Sequence, residues 1–276
     1  MTRGAGILPS ALERRGRRGF TGTLRVEGSP GGAVAMRGGL VVAASTPAAP
    51  GPEPLLLRSG RISEADWTAA FTAGAPRGRL ADELVRRGLV GDAGLQVVTR
   101  TAVVDAVFAM ALGGVRTCTA VPAGSGEDEP PVLLPADPGL PPDRVAREVE
   151  RRLAALDAWS LLPLTAPLSA RSRPRATAAA RDASAGGARR AVLDRADGRR
   201  TPRDIAFSLG RGLFSVLTDL ATLYEDGLVE EGLADEPAPP PPVPAPRPVP
   251  PDVPAGPHGS FGASGELPRR RRRSTG

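Results

Sequence analysis

Lysine is absent from this chain of 276 residues; arginine supplies all 36 of its permanently basic side chains. That absence removes Schiff-base chemistry, the lysine of a Walker-type phosphate loop and the ATP-binding lysine of kinases. Histidine occurs once, as His258 among prolines and glycines, a poor setting for a general base. Cysteine also occurs once, which excludes an internal disulfide and a cysteine cluster for zinc. It is Cys118, in a strand-like Thr-Cys-Thr context where a free thiol behaves as a small buried hydrophobe. Carboxylates are plentiful, but none forms a pair in a glycosidase-like or metal-binding setting. A non-enzymatic protein without cofactor or metal is expected. No apolar run approaches the roughly 18 residues of a membrane span. The basic N-terminus lacks the apolar core and cleavage site of a secretory signal, so a cytoplasmic location is expected.

The formal charge of +6 is unevenly placed. Residues 237–276 hold six arginines and two acids, and the preceding 236 residues hold 30 arginines against 28 acids. The body is therefore nearly neutral, and the high isoelectric point does not describe a basic surface.

Residues 1–18 are poor in apolar residues and rich in arginine, which predicts a mobile lead-in. From Phe20 to Val26 the side chains alternate as in a half-buried strand. Ala33 to Met36 and Leu40 to Ala44 follow as two more strands, separated by glycine-rich turns. These glycines lack the strand-to-helix G-x-G-x-x-G spacing of a phosphate loop. A proline-rich connector spans Pro47 to Pro54.

Beyond it a pattern occurs twice, 28 residues apart. Leu56-Leu57-Arg58-Ser59-Gly60-Arg61-Ile62, followed by Trp67, aligns with Leu84-Val85-Arg86-Arg87-Gly88-Leu89-Val90, followed by Leu95. The glycines fall where a left-handed residue ends a helix, so each copy predicts helix, glycine stop, turn and second helix. Ser63 with Asp66 fits a capping box. A longer helix is predicted from Asp92 to Leu112, then a strand over Val115 to Val121 and a loop over 122–142. Asp143 opens another helix, with Val145, Val149, Leu153 and Leu156 on one stripe. Its Arg144/Glu148 and Glu148/Arg152 pairs mark a solvated face. The fold class expected is α+β: a small antiparallel β-meander packed with helix-Gly-turn-helix repeats over residues 19–160.

Residues 161–187 read as a linker. In residues 188–233, three helices and a terminal strand form a second, winged-helix-like unit, with Pro202 at the first position of its middle helix. Residues 234–276 read as a disordered tail, with 12 prolines in positions 237–257 and the run Arg269, Arg270, Arg271, Arg272, Arg273 near the end.

The order of Phe20-x-Gly22-x-Leu24-x-Val26, "VAMRGGLVVAAS", "LLLRSGRISEADW" and "DAVFAMALGG" resembles the PATAN-type domain of bacterial regulatory proteins over residues 19–160. The resemblance implies signalling by protein interaction without enzyme activity, the partner being a small Ras-like GTPase or a receiver-domain protein. "RLADELVRRGLVGDAGLQVV" is similar to the motif R-L-G-x-x-L-V-x-x-G-x-I-x-x-x-x-L of type II secretion ATPase N-terminal domains. Some of those domains bind cyclic di-GMP through two such motifs. Arg79, Leu80, Leu84, Val85, Gly88 and Leu95 match, while Val90 and Ala81 replace isoleucine and glycine. The earlier copy has Gly51-Pro52-Glu53 at the R-L-G positions, so a packing unit is the preferred reading and a cyclic dinucleotide module the third one.

Two functional expectations follow. The first is a regulatory adaptor whose partner or anion contacts are Arg58, Arg61, Arg79, Arg86 and Arg87. The alternative is a transcriptional regulator contacting DNA through Arg199, Arg200, Arg203, Arg211, Ser215 and Thr218. Seven arginines against eight acids over residues 188–233 do not favour it. The arginine run at 269–273 could hold an anionic partner by charge alone.

Overall fold

The structure, a computed structural model, describes residues 6–125, 132–159, 169, 171–181 and 186–232. All belong to Met1–Ala234, which holds together as one unit. The expected tail over 234–276, residues 161–168, 170 and 182–185 of the expected linker and His258 lie outside the described residues.

The meander forms as β1 (Gly22–Gly28), β2 (Gly32–Arg37) and β3 (Leu40–Ser45). Strand β4 (Val115–Pro122) adds to the free side of β1, giving an antiparallel sheet ordered β3-β2-β1-β4. Thr23 faces Ala35 on one side and Val121 on the other, so period-two alternation fixes which side chains share a face. Leu24, Val26, Val34 and Met36 point together into the core.

Residues 1–18 are not the lead-in that their composition predicts. Ile7–Gly16 is a helix, α1, with Leu8 and Leu12 both 0% exposed, packed against β4 and a later helix. Three apolar positions at i, i+3 and i+4, Leu8, Ala11 and Leu12, suffice to bury one face while the arginines stay outside.

The repeated unit folds as its glycines require. Helix α2 (Pro52–Leu57) ends before Gly60 at φ +73°, and α4 (Leu80–Arg86) ends before Gly88 at φ +67°. In both copies the residue after the glycine donates its N–H to the carbonyl five positions back, Arg61 to Leu56 and Leu89 to Leu84. Helix α3 (Glu64–Gly74) starts on a Ser63 side chain that accepts from the Asp66 N–H. Trp67 of α3 and Leu95 of α5 (Asp92–Gly113) occupy equivalent buried places in one cluster with Leu56, Leu84 and Leu134. The connector is shorter than expected because Pro52 serves as a first helical residue.

Helix α5 is long and apolar enough to cross a membrane by length and composition, but 72% of its most apolar window is buried within the body. The loop before α6 (Pro142–Trp159) is anchored to the sheet edge: the Ala136 N–H donates to Val42, and Leu140 bridges Val41.

The expected linker contains structure. Strand β5 (Pro174–Ala176) pairs antiparallel with β6 (Val229–Glu231), joined by an Arg175–Glu230 ion pair at 2.9 Å. Between them lie α7 (Gly187–Leu193), α8 (Pro202–Leu209) and α9 (Leu213–Glu225). These helices do not have a core of their own. Their Val192, Ile205, Val216 and Leu220 belong to the same cluster as Leu24 of the sheet, Phe108 of α5 and Val149 of α6.

Candidate functional site

The join between α5, α6 and the start of α9 is built around Asp105. This carboxylate, 2% exposed, is ion-paired with Arg152 of α6 through Oδ1. Its Oδ2 stands at the start of α9 near the N–H groups of Leu213 and Phe214, without a hydrogen bond of ordinary geometry among the described residues. The first turn of a helix leaves N–H groups without partners, and an anion there is favourable. Gly212, at the N-cap of α9, has no side chain to provide that anion, so Asp105 does so from another helix. Burial pushes the Asp105 carboxyl above its usual range, against the opposing pull of Arg152 and the two amides. Phe214 closes the join: its ring meets Phe108 edge-on at 5.4 Å, stacks on Trp159 at 6.0 Å and lies 4.8 Å under the Arg152 guanidinium.

Arg152 thus corrects the reading of α6. Its pairing with Glu148 forms at 2.8 Å, but the arginine is only 13% exposed and turns inward. The second partner of Glu148 is Arg151 at 2.7 Å, not Arg144. Hydrogen bonding from Arg151 first and then Arg152, opposed by burial, holds the Glu148 carboxyl down at about 2. Its contribution to stability is therefore complete above the unfolded value near 4.5 and is lost as pH falls towards 2. Glu148→Gln is expected to flatten the acid limb of the stability curve over that window, read as urea midpoints against pH.

The five arginines expected as partner contacts are all exposed but are not one cluster by pairing. Arg86 and Arg87 converge on Glu83, each at 2.6 Å, which holds that carboxyl down at about 2. Arg58 lies against the α8–α9 turn, where a Cβ on Gly210 would come within 2.8 Å of its own Cβ. Arg61 and Arg79 make no ion pair among the described residues.

The DNA-contact set falls into two groups. Arg211 binds Asp219 at 2.7 Å, Ser215 at 2.7 Å and the Ala188 carbonyl at 3.1 Å, and the Thr218 hydroxyl donates to Phe214 at 2.9 Å. At the other end of α8, Arg200 pairs with Asp197 at 2.8 Å, the Arg199 carbonyl accepts from Arg173, and Arg203 lies over Phe207. Arg269 to Arg273 lie outside the described residues.

Nothing matches. Neither protein-family models, nor characterised proteins, nor solved structures yield a relative of this chain.

Beside the second copy of the repeat lies a cleft of about 340 Å³, the place where a cyclic dinucleotide would be sought. It presents Asp82, Asp92 and Asp137, and its one arginine, Arg86, is already held by Glu83. Three carboxylates repel a doubly anionic ligand. Sequence reasoning missed Asp105, although one signal was there: a lone carboxylate inside the apolar run Val103-Val104-Asp105-Ala106-Val107-Phe108. A buried charge of that kind requires a cation from elsewhere in the chain.

Proposed function

We propose that this chain is a non-catalytic regulatory adaptor acting through protein–protein interaction in the cytoplasm. The observation that carries the reading is the commitment of α9. In a winged-helix-like arrangement this helix would enter the major groove. Here Leu213, Val216, Leu217, Leu220, Ala221, Leu223 and Tyr224 are buried, and its N-terminus is stopped by Asp105. The side chains left outward include Ser215, Thr218 and Glu225, with Asp219 tying down Arg211. Such a surface is poor for phosphate and base edges. It suits a helical unit that is docked in cis and supports a neighbouring face.

Beside it the helix-Gly-turn-helix repeat exposes Arg58, Arg61, Arg79, Arg86 and Arg87. The PATAN-like order of residues 19–160 supports a signalling partner, a small Ras-like GTPase or a receiver-domain protein, with an acidic docking surface. Affinity capture from the native host tests this. The wild-type chain is expected to retain a discrete protein partner. Replacing all five arginines by glutamate is expected to lower recovery roughly tenfold or more, with circular dichroism unchanged. Undiminished recovery would remove this face, and recovery of DNA alone would overturn the adaptor reading.

A further inference from the structure

A second cleft of about 340 Å³ opens at the β3 edge of the sheet. Its floor is made of small side chains, Ala33, Ala35 and Ala43, which leave room above the strands. Trp67 of α3 and Ala102 of α5 form walls, and Leu134 closes another side. Size and predominantly apolar lining fall within the range of small-molecule sites.

Two features define what would fit. The first is Thr23, which lines the cleft at 6% exposure and whose Oγ1 has no hydrogen-bond partner among the described residues. A buried hydroxyl without a partner is unfavourable, and Thr23 stands directly opposite Ala35, another residue lining the cleft. The second is charge. Glu53 is the one ionisable side chain among the described residues lining the cleft, and it is exposed. A carboxylate with no ion-pair partner among the described residues disfavours anions and favours neutral or cationic molecules. The depth of Thr23 and of Trp67, 7% exposed, suits a small molecule rather than the backbone of a partner protein.

We propose that this cleft binds a small neutral or cationic amphiphile, an apolar body carrying one hydroxyl or amine that reaches Thr23. The site is independent of the adaptor reading: it stands or falls without a partner protein.

The test uses the full chain with Trp159→Phe, which leaves Trp67 as its single tryptophan. Titration with 1-octanol is expected to change Trp67 fluorescence saturably. Octylamine is expected to bind at least as well and octanoate roughly tenfold more weakly, a gap that Glu53→Gln narrows. Ala35→Leu fills the cleft and is expected to abolish saturation. If that variant does not fold, Thr23→Val serves instead: it keeps the volume and is expected to weaken 1-octanol binding roughly 3- to 10-fold. Linear, unsaturable partitioning, tighter binding of octanoate, or saturation that survives in folded Ala35→Leu would overturn the proposal.

Discussion

Asp105→Ala is expected to lower the stability of the whole body by about 3–5 kcal/mol, the range for removing one partner of a buried ion pair. The substitution leaves Arg152, 13% exposed, without its buried carboxylate and uncovers the first N–H groups of α9. It also loosens the packing of Phe214 against Phe108 and Trp159, because Arg152 lies over that ring. Asp105→Asn keeps an oxygen for the amides of Leu213 and Phe214 and is expected to lose less. Gly212→Ala approaches the same point from the other side, since its Cβ would stand 2.4 Å from the Asp105 carboxylate oxygen. Both the alanine variants should shift the denaturant midpoint, and the transitions seen by helix content and by tryptophan fluorescence should stay coincident. A loss below about 1 kcal/mol in Asp105→Ala would mean that the join is held by apolar packing alone.

The second large effect concerns α1. Leu12→Ala is expected to cost about 2–5 kcal/mol, because its side chain is fully buried in the main core and truncation leaves a cavity. Leu8→Ala should behave alike. A mobile lead-in would tolerate both changes, so thermal unfolding of the single variants separates the two descriptions. A melting temperature within about 1 °C of wild type in both would restore the mobile lead-in.

These two features are the ones that the sequence conceals, and for the same physical reason. Each depends on residues far apart in the chain. Leu8, Ala11 and Leu12 form a short apolar stripe whose partners, α6 and β4, lie more than a hundred residues further along. Asp105 and Arg152 are 47 residues apart, and the local i,i+4 spacing of Glu148 and Arg152 suggests a solvated face instead. What was legible is what local backbone chemistry decides. Gly60 and Gly88 take left-handed φ, Pro202 begins a helix, and alternation from Phe20 to Val26 gives a strand. The spacing of Trp67 and Leu95 after their glycines placed both in one core. For the candidate sites, periodicity marked the outward arginines of the repeat. It could not show that Arg58 meets the α8–α9 turn or that Arg86 and Arg87 share Glu83.

The same distinction explains residues 188–233. Their helix signals are local and suggested a free-standing unit, whereas the burial that unites them with the sheet is tertiary. Gly210 is an example: its φ of +58° ends α8 as expected, but the added Cβ would also strike the Pro54 carbonyl at 2.6 Å. A helix-ending glycine is thus a close-approach glycine as well, and the turn that a DNA reader would present is packed against α2.

The central claim is that α9 is committed to holding the body together and does not read DNA. Its most direct measurement is a titration of labelled host DNA with the full chain at several salt concentrations, Arg269 to Arg273 having been replaced by serine. The expected result is weak binding without sequence preference that disappears as salt rises. Site-selective binding that persists in salt and is lost on replacing Ser215 and Thr218 by alanine would contradict it.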